Sequence, residues 1–190
     1  ARCATISCCR LCVVEVEGSR VLVASCERKA EAGMKIHTQT ERVQRVRKGV
    51  LELLASESDL STAPQFQAYA ERYAIDPGRY GGAQREHPPV DDNGLFVRDY
   101  SRCILCYRCV EACGVDAQNT FAIALFGRGF ESGISTGYDL PLPDSVCVFC
   151  GNCVAVCPTG ALMDSSEYEL RHADAWHPER QAVVQTTCPY

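Results

Sequence analysis

Eight cysteines in two copies of one spacing could carry chemistry in this chain. Cys103, Cys106, Cys109 and Cys113 read C-x2-C-x2-C-x3-C. Cys147, Cys150, Cys153 and Cys157 repeat it, and Pro158 follows the last cysteine. Thiolates at this spacing hold [4Fe–4S] clusters, whose chemistry is electron transfer. A cubane needs four thiolates converging on one small volume. A tight loop supplies three, and the fourth comes from the other copy. The expected sets are Cys103, Cys106, Cys109 and Cys157 for the first cluster, and Cys147, Cys150, Cys153 and Cys113 for the second.

Composition supports metal ligation. Cysteine supplies 14 of the 190 residues, too many for an ordinary cytosolic core. A secreted disulfide scaffold or metal sites would explain that richness. Cysteines so close in sequence coordinate one centre more readily than they cross-link distant loops. Zinc held by four cysteines can use C-x2-C pairs. A zinc-binding interaction module would not explain triplets that end in Cys-Pro. The net charge of -5 and the lack of a basic stripe argue against nucleic acid. Arg42, Arg45, Arg47 and Lys48 read as a solvated helix face. No apolar run approaches the ~18 residues of a membrane span. No signal peptide is visible, and a cytoplasmic location is expected.

The elements that must position these cysteines can be read in outline. Val13 to Val16 and Val21 to Val23 alternate around Gly18-Ser19, which predicts a tight hairpin. Thr38 and Glu41 form a capping-box pattern that opens a helix burying Val43, Val46, Val50, Leu53 and Leu54. Thr62 and Gln65 suggest a second box with Pro64 in the first turn, and Phe66, Tyr69, Ala70 and Tyr73 share one face of that helix. Asp76-Pro77-Gly78 ends it, and residues 79–94 read as a connector. Thr120 to Phe126 is a short apolar run stopped by Gly127 and Gly129. No GK[ST] follows those glycines, so they make no phosphate loop. The tail 165–187 is polar and reads as a linker, with Trp176 packing against a neighbouring domain. No acid–base or nucleophilic constellation is evident, and no catalytic residue is expected. His37, His87, His172 and His177 are scattered and read as structural or solvated.

A second cysteine group opens the chain. Cys9, Cys12 and Cys26 read C-x2-C-x13-C. A [2Fe–2S] cluster needs four cysteines, and the plant-type spacing C-x4-C-x2-C does not fit, because Cys3 to Cys9 is x5. Alone, the group could also be a partial zinc site.

The segment from Cys9 to Gly18 closely resembles the [2Fe–2S] domain of another family. That family covers the iron–sulfur large subunit of respiratory complex I, the NAD-reducing hydrogenases and the NAD-dependent formate dehydrogenases. Phe96 to Cys106, Gly127 to Phe130 and Cys157 to Leu162 are similar to the same family. The resemblance implies a β-grasp [2Fe–2S] domain. Its first ligand would lie upstream of the C-x2-C pair, just before Ala1. The fourth ligand is then either missing or Cys3, and Cys8 occupies a small-residue position and is not a ligand.

Two departures refine the resemblance. Many relatives carry a further cluster bound by one histidine and three cysteines, but residues 55–95 contain no cysteine, and this argues against complex I itself. Thr186-Thr187-Cys188-Pro189-Tyr190 looks like the opening of the molybdenum domain of formate dehydrogenases. There Cys188 would be the first ligand of a further [4Fe–4S] cluster beside a Mo or W bis-pterin cofactor.

The resulting expectation is an α+β fragment in four parts. They are a partial [2Fe–2S] domain over 1–36, a helical connector over 37–94, a bacterial-type ferredoxin domain with two [4Fe–4S] clusters over 95–164, and a linker over 165–190 into a molybdopterin domain. The expected function is an electron relay within a formate dehydrogenase catalytic subunit. Its partners would be the remainder of that subunit and an NAD(H)/flavin diaphorase or ferredoxin-type protein. The alternative is the iron–sulfur subunit of a diaphorase or hydrogenase.

Overall fold

The computed structural model describes residues 7–81 and 87–177. Cys3, Cys188 and the run Thr186 to Tyr190 lie outside the described residues.

The first unit is a three-stranded antiparallel sheet of order β2-β1-β3, with β1 Val13–Val16, β2 Val23–Ala24 and β3 Ile36–His37. The expected tight hairpin at Gly18-Ser19 does not form. β1 pairs with β2 only at Val13↔Ala24 and Val14↔Val23, then turns its other half to β3. The chain reverses one residue earlier, where the Ser19 amide donates to the Val16 carbonyl at 2.9 Å across Glu17-Gly18. Gly18 at φ 81 supplies the positive φ that such a turn needs at its third residue.

Helix α1 (Glu41–Glu57) starts at Thr40, not Thr38: the Thr40 hydroxyl accepts from the Val43 amide. The buried face is also displaced from the expected stripe. Val43 and Leu51 are buried, whereas Val46 is 38% and Leu53 51% exposed. The shift follows from what the helix packs on. Arg47, expected in a solvated face, donates to the Val13 carbonyl at 2.8 Å and to the Tyr73 hydroxyl at 3.1 Å. It joins β1, α1 and α2, so the inward face runs along its side of the helix. Glu52 is fully buried and is held by Arg79, Lys48 and the Asp76 amide.

Helix α2 (Pro64–Tyr73) has Pro64 in its first turn, as expected, but no side-chain cap. Thr62 is committed elsewhere. Its hydroxyl donates to the Thr159 carbonyl at 2.7 Å and accepts from Arg102 at 2.9 Å. Phe66, Ala70 and Tyr73 are half-buried, while Tyr69 is exposed.

The second unit repeats a small pattern. α3 (Arg108–Cys113) and α4 (Asn152–Val156) pack on each other. β4 (Phe96–Arg98) pairs antiparallel with β7 (Leu162–Asp164), and β5 (Ile123–Phe126) with β6 (Gly133–Thr136). Ile123, Ile134 and Leu142 form the buried core. α5 (Ser165–His172) follows β7 and opens the segment read as a linker; Asp164 caps it by accepting from the Ser166 and Glu167 amides. The Arg171 guanidinium lies over the Trp176 ring, 5.1 Å from its centroid. No helix among the described residues is long and apolar enough to cross a membrane.

Asp92, in the connector, locks this unit. It pairs with the buried Arg98 and accepts from the Leu142 amide at 2.9 Å. Burial alone would raise its pKa, but hydrogen bonds from Asn93 and Leu142 and the Arg98 charge outweigh it and hold the carboxyl below its usual range. A lowered carboxylate pKa contributes stability above the unfolded value of about 3.9, and that stability is lost as pH falls through the folded value. Asp92→Ala leaves Arg98 buried without its partner. It should lower stability by about 3–5 kcal/mol at neutral pH, read as a shift in the urea midpoint, with a smaller difference below pH 3–4.

Candidate iron–sulfur centres

Each cysteine loop is built by the same local device. In the first copy Leu105 and Tyr107 have φ of 52 and 64; in the second, Phe149 and Gly151 have φ of 53 and 73. These left-handed positions coil the loop and turn amides toward sulfur. The Leu105 amide donates to Cys103 Sγ, and the Phe149 amide donates to Cys147 Sγ, both at 3.4 Å. Tyr107 and Gly151 each then open the short helix that carries the third cysteine. Cys113 Sγ accepts from the Ala122 amide at 3.2 Å and lies 3.4 Å from the Thr120 hydroxyl.

The structure brings the expected sets together. Cys103, Cys106, Cys109 and Cys157 line one small cavity, closed by Tyr100, Ile104, Ile134 and Pro158. Cys153 has Cys150, Cys113 and Cys147 as its charged neighbours. Thus the fourth cysteine of each run lies with the first three of the other. Burial pushes the Cys106 thiol up to about 11, and Cys157 and Cys103 add to the rise. Burial likewise takes Cys153 to about 11, and Cys109 still higher. Tyr100 is raised by burial, against the pull of Arg98.

This donor set fits cubane clusters. The first set rings one cavity, amides donate to Cys103, Cys113 and Cys147, and five of the eight cysteines pack on the apolar core. A single zinc ion would instead require sulfurs closing to ~2.3 Å from one point. No group of three His, Cys, Asp or Glu side chains among the described residues is arranged for one metal ion.

The N-terminal group is also assembled. Cys9, Cys12 and Cys26 line a second cavity, of about 460 Å³, together with Cys8 and with Cys106 from the first cluster loop. Burial raises Cys12, but hydrogen bonds from Cys26 and Ser25 outweigh it and the net shift is downward. The family resemblance sets Cys8 aside as a ligand, yet its thiol donates to the Cys106 carbonyl at 3.5 Å and so touches the first cluster loop. Ser58 likewise donates to the Cys103 carbonyl at 2.9 Å from the end of α1. No sequence spacing signals either long-range contact. His37 lies 3.8 Å from Glu17, and His172 bonds the Tyr168 carbonyl.

Known proteins share these modules. Residues 102–161 match the 4Fe-4S dicluster domain, and residues 1–41 match the 2Fe-2S iron-sulfur cluster binding domain. The chain is 37% identical over 186 residues to the NADP-reducing hydrogenase subunit HndD of Solidesulfovibrio fructosivorans, covering 94% of this chain and 32% of that protein. It is 30% identical to the mitochondrial NADH-ubiquinone oxidoreductase 78 kDa subunit of Candida albicans, covering 93% of this chain and 25% of that protein. A solved NAD+-reducing [NiFe]-hydrogenase in the H2-reduced state superposes with a TM-score of 0.75 at 27% identity, over 87% of this chain and 73% of that one. Over most of its length the chain is similar to part of a hydrogenase subunit and part of a 78 kDa NADH-ubiquinone oxidoreductase subunit, and it carries matches to both iron–sulfur domain models. It spans about a third of the length of the hydrogenase relative and about a quarter of the 78 kDa relative. These relatives favour the expected diaphorase and hydrogenase alternative; none of the three is named a formate dehydrogenase.

The left-handed loop positions generate a stability test. A Cβ at Gly151 would meet the Phe96 ring at an ordinary 3.8 Å, so backbone strain is the whole penalty. Gly151→Ala should therefore cost about 1–2 kcal/mol in the urea midpoint, without displacing Phe96.

Proposed function

We propose that this chain is the iron–sulfur electron relay of an NAD(P)H-type oxidoreductase or hydrogenase complex. The observation that carries the reading is the meeting of Cys157 with Cys103, Cys106 and Cys109 in one cavity. In this reading those four residues hold one [4Fe–4S] cluster, and Cys113, Cys147, Cys150 and Cys153 hold the other. Cys9, Cys12 and Cys26 serve a [2Fe–2S] cluster, with Cys3 as the candidate fourth ligand, in a β-grasp module over 1–36. The dicluster module spans 95–164.

When bound, the clusters accept and release single electrons. The chain's own residues set the conditions. The Leu105, Phe149 and Ala122 amides donate to ligand sulfurs. Such bonds stabilise the more negative, reduced state and raise its potential. Ile123, Ile134 and Leu142 keep water from the inner cysteines, five of which pack against them. The Cys8–Cys106 contact places the N-terminal group beside the first cubane site, so electrons would pass directly between these two. Partner subunits of hydrogenase or NADH dehydrogenase type would supply and take the electrons.

Formate dehydrogenase is the second reading. It rests on Thr186 to Tyr190, with Cys188 as first ligand of a further cluster beside a Mo or W pterin. The names of the relatives favour the first reading.

Anaerobic iron and sulfide analysis with EPR tests the relay. About eight irons with two interacting [4Fe–4S] signals are expected, rising to about ten if the N-terminal site is also filled. Cys157→Ala should remove about four irons. Cys103→Ala should do the same, and the double variant should lose no more than either alone. Zinc without iron, in protein made under conditions that support cluster assembly, would sink the reading. Cluster reduction driven by formate in the full-length protein, and not by NAD(P)H or H2 partners, would favour the second reading.

A further inference from the structure

Tyr100 stands at the first cubane site with a hydroxyl that none of the described residues satisfies. Its backbone is pinned to the first ligand, since the Cys103 amide donates to the Tyr100 carbonyl at 3.1 Å. Asp99 fixes the turn by accepting from the Ser101 amide at 3.2 Å and from Arg102 Nε at 2.7 Å. The Tyr100 ring lies in the wall of the cavity formed with Cys103, Cys106, Cys109 and Cys157, and packs on the Ile123, Ile134 and Leu142 core. The hydroxyl is buried with Arg98 beside it as a donor, and none of the described residues accepts its proton. A buried donor without an acceptor calls for one.

The neighbours decide which partner. The charged groups around the hydroxyl are Arg98, Cys109 and Cys103. A guanidinium donates and never accepts, so Arg98 cannot take the hydroxyl proton. Sulfur can. The second copy has no tyrosine at the matching place, and the hydroxyl beside its sulfurs is that of Thr120, 3.4 Å from Cys113 Sγ. Asp144, three residues before Cys147 as Tyr100 is before Cys103, is exposed.

We infer that Tyr100 donates its hydroxyl proton to a sulfur of the cluster held by Cys103, Cys106, Cys109 and Cys157, and so raises that cluster's potential. This rests on the reading of the eight cysteines as two cubane sites. A donor to cluster sulfur stabilises the electron added on reduction, with no covalent change in the residue. Tyr100 is a positioning residue for electron density, not a ligand. The raised potential favours the electron on the side where Cys8 meets the first loop.

The test is potentiometric EPR on the anaerobically reconstituted chain and on Tyr100→Phe, which keeps the ring and loses the donor. One [4Fe–4S] midpoint should fall by about 59 mV, a tenfold change in a one-electron equilibrium. The other should stay. Pulsed ENDOR in deuterated water should show an exchangeable deuteron coupled to that cluster in the wild type and absent in Tyr100→Phe. Two assembled cubanes with unchanged midpoints and an unchanged deuteron coupling overturn the inference alone. Loss of both [4Fe–4S] signals in the wild type overturns the cluster reading itself. If the variant fails to assemble, the wild-type spectrum decides, because couplings from backbone amides only would overturn the role of Tyr100.

Discussion

Cys103, Cys109, Cys113, Cys147 and Cys153 pack against Ile123, Ile134 and Leu142, so that sulfur occupies space that carbon fills in an ordinary small core. Burying a thiolate without a cation is costly. Burial therefore drives Cys106, Cys109 and Cys153 toward their neutral form, with Cys106 and Cys153 pushed up to about 11. In the proposed cluster-bound form, iron reverses the balance by supplying the positive charge. Metal loading then contributes folding free energy and releases protons. The short elements of this unit have little else to bury: the longest of α3, α4 and β4 to β7 has six residues.

The exchange of the fourth cysteine makes the two halves interdependent. Cys157 lies at the end of α4 yet lines the cavity of the first loop, and Cys113 at the end of α3 neighbours the second. α3 against α4 is the packing that allows both crossings. The β4–β7 pair closes the ends of the unit, and Asp92 ties the preceding connector to its centre through Arg98 and Leu142. A ligand set formed this way cannot be completed by either half alone.

The connector has a positional role that its composition conceals. α1 ends where Ser58 holds the Cys103 carbonyl, and Thr62 and Arg102 join the start of α2 to the same unit. Arg47 holds the other end of α1 to β1. A stretch without cysteine thus carries two cysteine groups to a shared cavity and lets Cys8 reach Cys106.

Sequence alone determined the ligand types and their spacing, because the geometry of a three-cysteine loop is local and leaves a regular mark. It also located α1 and α2 closely, since apolar spacing and a proline in the first turn act within a few residues. It misplaced the first cap, the turn after β1 and the inward face of α1. Those depend on partners such as Val13, Tyr73 and Thr159, distant in the chain. Only the tertiary structure set the φ > 0 conformations at Leu105, Tyr107 and Phe149, which side-chain identity does not favour. Only it placed Tyr100 and Cys8, because a hydroxyl's burial and a thiol's long-range acceptor are properties of packing and leave no periodic trace in the residues.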